Sequence, residues 1–113
     1  MKASVGGDSP STLVELVGEL TPSAAHRLYE TLHEATRFGQ RAIVSFAQTA
    51  QVSWAGVCRL SELLQNNAQC ARAVSFAGVA PHKRSLMAEA GFDRTWFARE
   101  NPAGQRRIIV SSQ

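Results

Sequence analysis

Hydrophobic residues along the chain follow two different spacings. Short apolar runs rich in Val, Ile and Phe are typical of β-strands, whereas apolar residues three or four positions apart are typical of amphipathic helices. Four strands are predicted, at residues 13–20, 41–46, 73–78 and 105–110. Three helices are predicted, beginning near residues 22, 53 and 81. We expect residues 47–51, between the second strand and the second helix, to form a loop.

The order of these elements predicts an α/β fold. Strands that alternate with helices favour parallel pairs joined by right-handed crossovers. We therefore expect one domain over residues 12–113, with a mixed β-sheet, about three helices and an extra C-terminal strand. Residues 1–11 are rich in Gly, Pro and Ser and poor in apolar residues, so we expect a flexible tail there.

Caps and glycines mark where the elements end. Thr21-Pro22 predicts the start of the first helix, because the Thr hydroxyl can accept a hydrogen bond from an early N–H and Pro has no N–H to leave unpaired. Gly39 is a suitable C-terminal cap for this helix, and Gly18 indicates a bend near the end of the first strand. Three aromatic residues are expected to cover the bottom of the core: Phe92, Trp96 and Phe97.

The composition is that of an ordinary globular domain. A hydrophobic fraction of 44% is too high for a disordered chain. The net charge is +3, but the basic residues are spread among acidic ones, and we interpret the grouping His82-Lys83-Arg84 as a solvated helix start. This argues against a nucleic-acid binder, which concentrates its charge on one stripe. No apolar run approaches the roughly 20 residues of a membrane span, so we expect a cytoplasmic protein without membrane insertion.

Signatures of catalysis, cofactors and metals are weak. No Gly-rich phosphate loop occurs within the predicted domain, and no carboxylate follows a predicted strand where acid–base catalysis would need it. His26, Glu30 and His33 share a helix face, but a solvated polar face is the better interpretation because no fourth ligand is evident. We expect no enzyme, no cofactor and no metal. Two cysteines are expected to be reduced, with the first in the core: Cys58 and Cys70.

Five short segments carry a resemblance to a known family. They read LVGELT at 16–21, AIVSF at 42–46, VSWAGV at 52–57, AGV at 77–79 and LMAEAGF at 86–92. In this order and spacing they resemble a STAS domain, the fold of bacterial anti-sigma-factor antagonists that also occurs in sulfate transporters. The resemblance covers roughly residues 12–96 and implies a module for protein–protein interaction in the regulation of transcription.

The phosphorylation motif of these antagonists is degenerate here. The family typically carries Asp-Ser-Ser-Gly or Asp-Ser-Thr-Gly at a strand-to-helix junction, and a partner kinase phosphorylates the last hydroxyl. The matching positions in this chain are Ser53, Trp54, Ala55 and Gly56. The position of the phosphoacceptor is therefore Ala55, which cannot be modified. Ser53 is an alternative acceptor, although we prefer it as the helix cap; Ser45 replaces an aspartate common in the preceding strand.

The resemblance places partner contact at the start of the second helix. Trp54 either presents apolar area to a partner, as interface hot spots do, or folds back over the sheet edge, and the sequence leaves both open. The contact residues that we predict are Ser53, Trp54, Ala55, Gly56, Arg59 and Leu60.

Three kinds of partner are compatible with the resemblance. The first is a histidine-kinase-like anti-sigma factor. The second is the ATPase subunit of an ABC transporter, as for the small cytoplasmic STAS subunit of the bacterial phospholipid-trafficking system. The third is a small ligand such as a nucleotide or a fatty acyl group. Because the tail is too poor in apolar residues to supply the family's opening strand, we expect Ile108-Ile109-Val110 to take that edge; pairing with a second copy, in a homodimer, stays open.

Overall fold

The computed structural model describes residues 11–97 and 106–112, so the predicted tail lies outside the described residues except for Ser11. The strands are β1 (Ser11–Leu20), β2 (Arg41–Ser45), β3 (Thr49–Val52), β4 (Val74–Ala77) and β5 (Arg106–Ser111). The helices are α1 (Pro22–Ala35), α2 (Trp54–Gln65), α3 (Ala68–Ala73) and α4 (Pro81–Glu89), followed by a short 3-10 helix, Arg94–Trp96.

Strand β1 is the centre of the sheet. Strands β2 and β3 follow one another along one edge of β1, β4 continues the sheet beyond β2, and β5 lies along the other edge of β1. Every pair among the named strands is parallel, whereas we predicted a mixed sheet. Since parallel strands end together, the carboxyl ends of these strands lie at one edge of the sheet, where binding sites of α/β proteins are usually found.

Two elements differ from the sequence prediction. Strand β3 occupies most of the predicted loop 47–51, and it pairs with the last three residues of β1. Helix α3 is a fourth helix, begun by the side chain of Asn67, whose Oδ1 accepts from the N–H of Cys70 at 3.1 Å. Both elements are short, four and six residues, so their local patterns are weak.

The predicted apolar stripes form the core. On α1 the stripe of small and leucine residues is buried, and on α2 Val57, Leu60 and Leu64 are buried. Phe76 of β4 contacts the three aromatic rings that we expected at the bottom of the core. The interpretation of Cys58 as the core thiol is wrong, because Cys58 is half-buried and Cys70 is the buried cysteine.

The predicted start of the first helix and the bend at Gly18 are confirmed, but the prediction of Gly39 as C-terminal cap is wrong, because α1 ends at Ala35 with Thr36 as its cap. Thr21 caps α1, accepting at Oγ1 from the N–H of Ala24 at 3.1 Å, and Pro22 is the first helical residue. Gly18 has φ +103° and lies where the register between β1 and β3 shifts. A Cβ there would lie 2.2 Å from Oγ of Ser112, so the bend also makes room for the end of β5.

The C-terminal strand pairs within the chain, as expected, along the edge of β1. The guanidinium of Arg107 holds the carboxylate of Glu15 in a bidentate ion pair, with Nε to Oε1 at 2.8 Å and Nη2 to Oε2 at 3.0 Å. Beyond the strand, Ser112 donates from its backbone N–H to the carbonyl of Val17 at 3.0 Å. The last strand is therefore fixed at both ends to β1.

None of the helices within the described ranges has the length and apolar character that crossing a membrane requires.

Candidate functional site

The predicted strand-to-helix junction lies at the end of the sheet that is formed by the carboxyl ends of the parallel strands. Strand β3 ends at Val52, a single residue follows, and α2 begins at Trp54. That single residue, Ser53, donates its backbone N–H to the carbonyl of Leu20, the last residue of β1, at 3.2 Å. The start of α2 is thus attached directly to the central strand.

The hydroxyl of Ser53 makes two hydrogen bonds. Its Oγ accepts from the N–H of Gly56 at 3.0 Å, which caps the helix, and it donates to the carbonyl oxygen of Leu20 at 2.9 Å. The cap interpretation is confirmed. A phosphate on this hydroxyl would remove the hydrogen that it donates and would place negative charge beside a carbonyl oxygen.

Gly56 is required by a close approach of two backbones. A Cβ at this position would lie 2.0 Å from the carbonyl oxygen of Leu20, a distance that no side chain tolerates. Its backbone lies in the helix, so the reason for glycine is space rather than a left-handed conformation. Gly56 therefore lets α2 begin in contact with the end of β1.

The exposed residues at the start of α2 form one surface, which we call the α2 surface: Ser53, Trp54, Ala55 and Arg59. Trp54 is 49% exposed, so half of its ring system is available to a partner. Arg59, further along α2, pairs with Glu62 at 2.8 Å on the helix exterior. The α2 surface thus combines the aromatic side chain of Trp54, the small side chain of Ala55 and the cationic side chain of Arg59.

Two of the six predicted contact residues do not reach this surface. Leu60 is 0% exposed, and its prediction as a contact residue is wrong. It belongs to the apolar stripe of α2 that faces the sheet, as its spacing from Val57 and Leu64 already indicates. Gly56 is also buried and supports the surface by allowing the helix to approach β1.

The two positions that we aligned with a phosphorylation motif on the basis of the resemblance, Ala55 and Ser45, are uncharged. Ala55 is exposed in the first turn of α2 and has no hydroxyl. Ser45 is buried at the end of β2, where its Oγ accepts from the N–H of Ala47 at 3.3 Å. Neither residue supplies an acid, and the only hydroxyl of the two, on Ser45, is buried.

Helix α4 borders the site, which the sequence did not predict. The ammonium of Lys83 donates to the carbonyl of Thr49, at the start of β3, at 2.6 Å. Between β3 and α4 lies an open cavity of about 250 Å³, lined by residues that include Gln51, His82 and Leu86. One residue of the basic grouping at 82–84 therefore connects α4 to β3. The interpretation of this grouping as a solvated helix start is only partly correct.

His26 and His33 on the polar face of α1 have different neighbours. His26 lies 3.7 Å from the carboxylate of Glu30, and the ring of His33 stacks on Tyr29 with centroids 6.0 Å apart. Across residues 11–97 and 106–112, no group of three or more His, Cys, Asp or Glu side chains is placed to hold a metal ion.

Residues 4–100, which are most of the chain, match the family model described as "Mlab, STAS domain". Comparisons with curated proteins and with solved structures gave no match to this chain.

Proposed function

Because the chain belongs to the STAS-domain family, we propose that it is a docking module that binds a partner protein through the α2 surface. The observation that carries this proposal is an exposed Trp54 on a helix start that Ser53 and Gly56 fix against β1. A large aromatic side chain on a rigid base contributes contact area at low entropic cost, and interface hot spots are enriched in Trp.

In this proposal, docking is not switched by phosphorylation at the start of α2. A phosphate switch works by adding negative charge and acceptor oxygens to an exposed hydroxyl. Ala55 has no hydroxyl, and the hydroxyl of Ser53 is engaged both as donor and as acceptor. The α2 surface would then be competent for binding at all times, with regulation supplied by the partner or by its abundance.

Two partner classes follow from the resemblance. One is a histidine-kinase-like anti-sigma factor, the partner of the antagonists that this chain resembles. The other is the ATPase subunit of an ABC transporter, in which a STAS subunit is a standing component. The missing acceptor at Ala55 favours the second class, because a permanently assembled subunit has no need of a kinase-controlled release.

The proposal is tested with purified candidates of both classes from the same organism. Binding of each to the wild-type chain and to Trp54→Ala is measured by biolayer interferometry. Loss of a hot-spot tryptophan should cost about 2 kcal/mol or more, which weakens binding about 30-fold. Phe38→Ala is the matched control, because Phe38 is 82% exposed but lies in the loop before β2, at the opposite end of the sheet.

Equal weakening by both substitutions would mean that the effect is not specific to the α2 surface. Full affinity of Trp54→Ala for a partner that binds the wild-type chain would remove α2 as the docking site. Binding to the anti-sigma factor but not to the transporter ATPase would reverse our preference between the two partner classes.

A further inference from the structure

Helix α4 borders a second, larger cavity on the side away from β3. We call it the α4 groove; it has a volume of about 760 Å³. One stripe of α4, at helical spacing, forms a wall: Pro81, Arg84, Ser85 and Ala88. The opposite wall comes from the segment after α4, including Arg94 and Phe97. Its size lies within the range typical of small-molecule sites.

The described charged residues that line the α4 groove all carry positive charge. Among residues 11–97 and 106–112, its lining contains two arginines and no carboxylate. Within the described residues, the guanidiniums of Arg37, Arg59 and Arg107 are ion-paired with glutamates, but those of Arg84 and Arg94 are not. Two cations without counter-charges beside one cavity make it a favourable place for an anion.

Another large groove provides the contrast. It lies between α1 and β5, has a volume of about 790 Å³, and carries both signs of charge: Arg27, Glu30, Glu34 and Arg106. Size alone therefore does not distinguish the two cavities. The two grooves differ in charge, because no described carboxylate lines the α4 groove to balance its two arginines.

Arg84 is already held in place. Its guanidinium lies over the ring of Phe97, 5.0 Å from the centroid. Stacking occupies the flat face of a guanidinium and leaves its N–H edge available to a carboxylate or phosphate. The hydroxyl of Ser85 is engaged as a donor to the carbonyl of Pro81 at 3.3 Å, so the donors to an anion are the arginines, and Phe92, Phe97 and Ala88 supply apolar walls. The groove thus offers donors for an anion next to apolar surface.

We propose that the α4 groove binds a small organic anion, a carboxylate or phosphate ester attached to an apolar body. The anionic group lies between the N–H edges of Arg84 and Arg94, and the apolar body packs against Phe97 and Ala88. This site is separate from the α2 surface, because the opposite side of α4 contributes His82, Lys83 and Leu86 to the cavity beside β3. Ligand binding and protein docking can be tested independently.

The test is an NMR titration of the ¹⁵N-labelled full chain with phenyl phosphate. Amide shifts should cluster at residues 81–97, and inorganic phosphate and phenol should each bind at least about tenfold more weakly, because each lacks one half of the ligand. Hexanoate, in a parallel titration, distinguishes a carboxylate on an aliphatic body from a phosphate on a ring. Shifts confined to the groove between α1 and β5, or no binding at millimolar concentration of either organic anion, would overturn the proposal.

Three variants sharpen the result. Arg84→Gln combined with Arg94→Gln should raise the Kd at least about tenfold, since charge-assisted hydrogen bonds are lost. Ala88→Trp should also weaken binding by filling the groove without changing its charge. Arg72→Gln, at an exposed arginine on α3, is the charge-matched control and should bind like wild type. Unchanged affinity in the double variant would contradict the proposal, as would phosphate and phenyl phosphate binding equally well.

Discussion

The carbonyl oxygen of Leu20 lies so close to Gly56 that a Cβ on Gly56 would be only 2.0 Å away. The same oxygen accepts hydrogen bonds from the backbone N–H and the hydroxyl of Ser53. The last residue of the central strand therefore determines where α2 begins. The proposed docking surface is built on this contact between two backbones rather than on a flexible loop.

Replacing Gly56 by alanine should destabilise the fold. The added methyl group meets backbone, which cannot move aside without shifting α2, and such overpacking costs about 2 kcal/mol. Gly39→Ala is the control, because Gly39 has φ +78° and open space around it, so its cost is left-handed strain of about 1 kcal/mol. Urea unfolding of both variants checks the order. A smaller loss for Gly56→Ala than for Gly39→Ala would show that the contact with Leu20 relaxes easily.

Ser53→Ala should lower the free energy of unfolding by about 1–2 kcal/mol, since the helix loses its cap and the carbonyl of Leu20 loses a donor. Ser53→Thr keeps the hydroxyl and should stay close to wild type. Thermal and urea unfolding measure both. If the two variants were equally destabilised, the hydroxyl would not be the group that matters at this position.

Introducing a negative charge at position 55 separates docking from folding. Ala55→Glu places a carboxylate in the exposed first turn of α2, where the helix dipole makes it neutral or stabilising by about 0.3–1 kcal/mol. If the partner docks on the α2 surface, this variant should nevertheless bind the partner at least about tenfold more weakly, because it places a negative charge inside the proposed interface. Ala68→Glu makes the same change at the exposed start of α3 and should bind normally. Unimpaired binding of Ala55→Glu would exclude position 55 from the interface.

The two thiols should react at different rates. Burial raises the pKa of the Cys70 thiol, although a hydrogen bond from Thr36 works in the opposite direction. At a pH near 8, Cys70 therefore has a smaller thiolate fraction than its ordinary pKa would give, and it is also inaccessible, so Cys58 should react first with a disulfide reagent such as DTNB. Unfolding in urea should make both rates similar. One fast phase for two thiols in the folded protein would contradict the burial of Cys70.

The longer elements were predictable because their signals are local. The Thr21-Pro22 start and the buried stripe of α1 follow from capping and helical spacing, and strand β5 follows from the compact apolar run Ile108-Ile109-Val110. Strand β3 was missed because Thr49-Ala50-Gln51-Val52 is only four residues long and contains a single large apolar residue, Val52. It becomes a strand through pairing with the end of β1, next to the register shift at Gly18, which is a tertiary effect.

The position of the site could be predicted from the sequence, but not all of the residues that form and border it. The junction and the cap at Ser53 could be inferred from the chain, and Leu60 could have been excluded by its place on the buried stripe. The contribution of α4 could not, because Lys83 reaches Thr49 across 34 residues of sequence. The same holds for the α4 groove, since Arg84 and Arg94 share a cavity only after the chain has turned between them.

Photocross-linking from position 54 shows whether a partner lies against the α2 surface. A benzoylphenylalanine replaces Trp54 in one variant and Phe38 in another, and each is irradiated with the ATPase partner that binds the wild-type chain. If the partner docks on the α2 surface, we expect a cross-linked product from position 54 and none from position 38. A complex that forms but cross-links only from position 38 would contradict it.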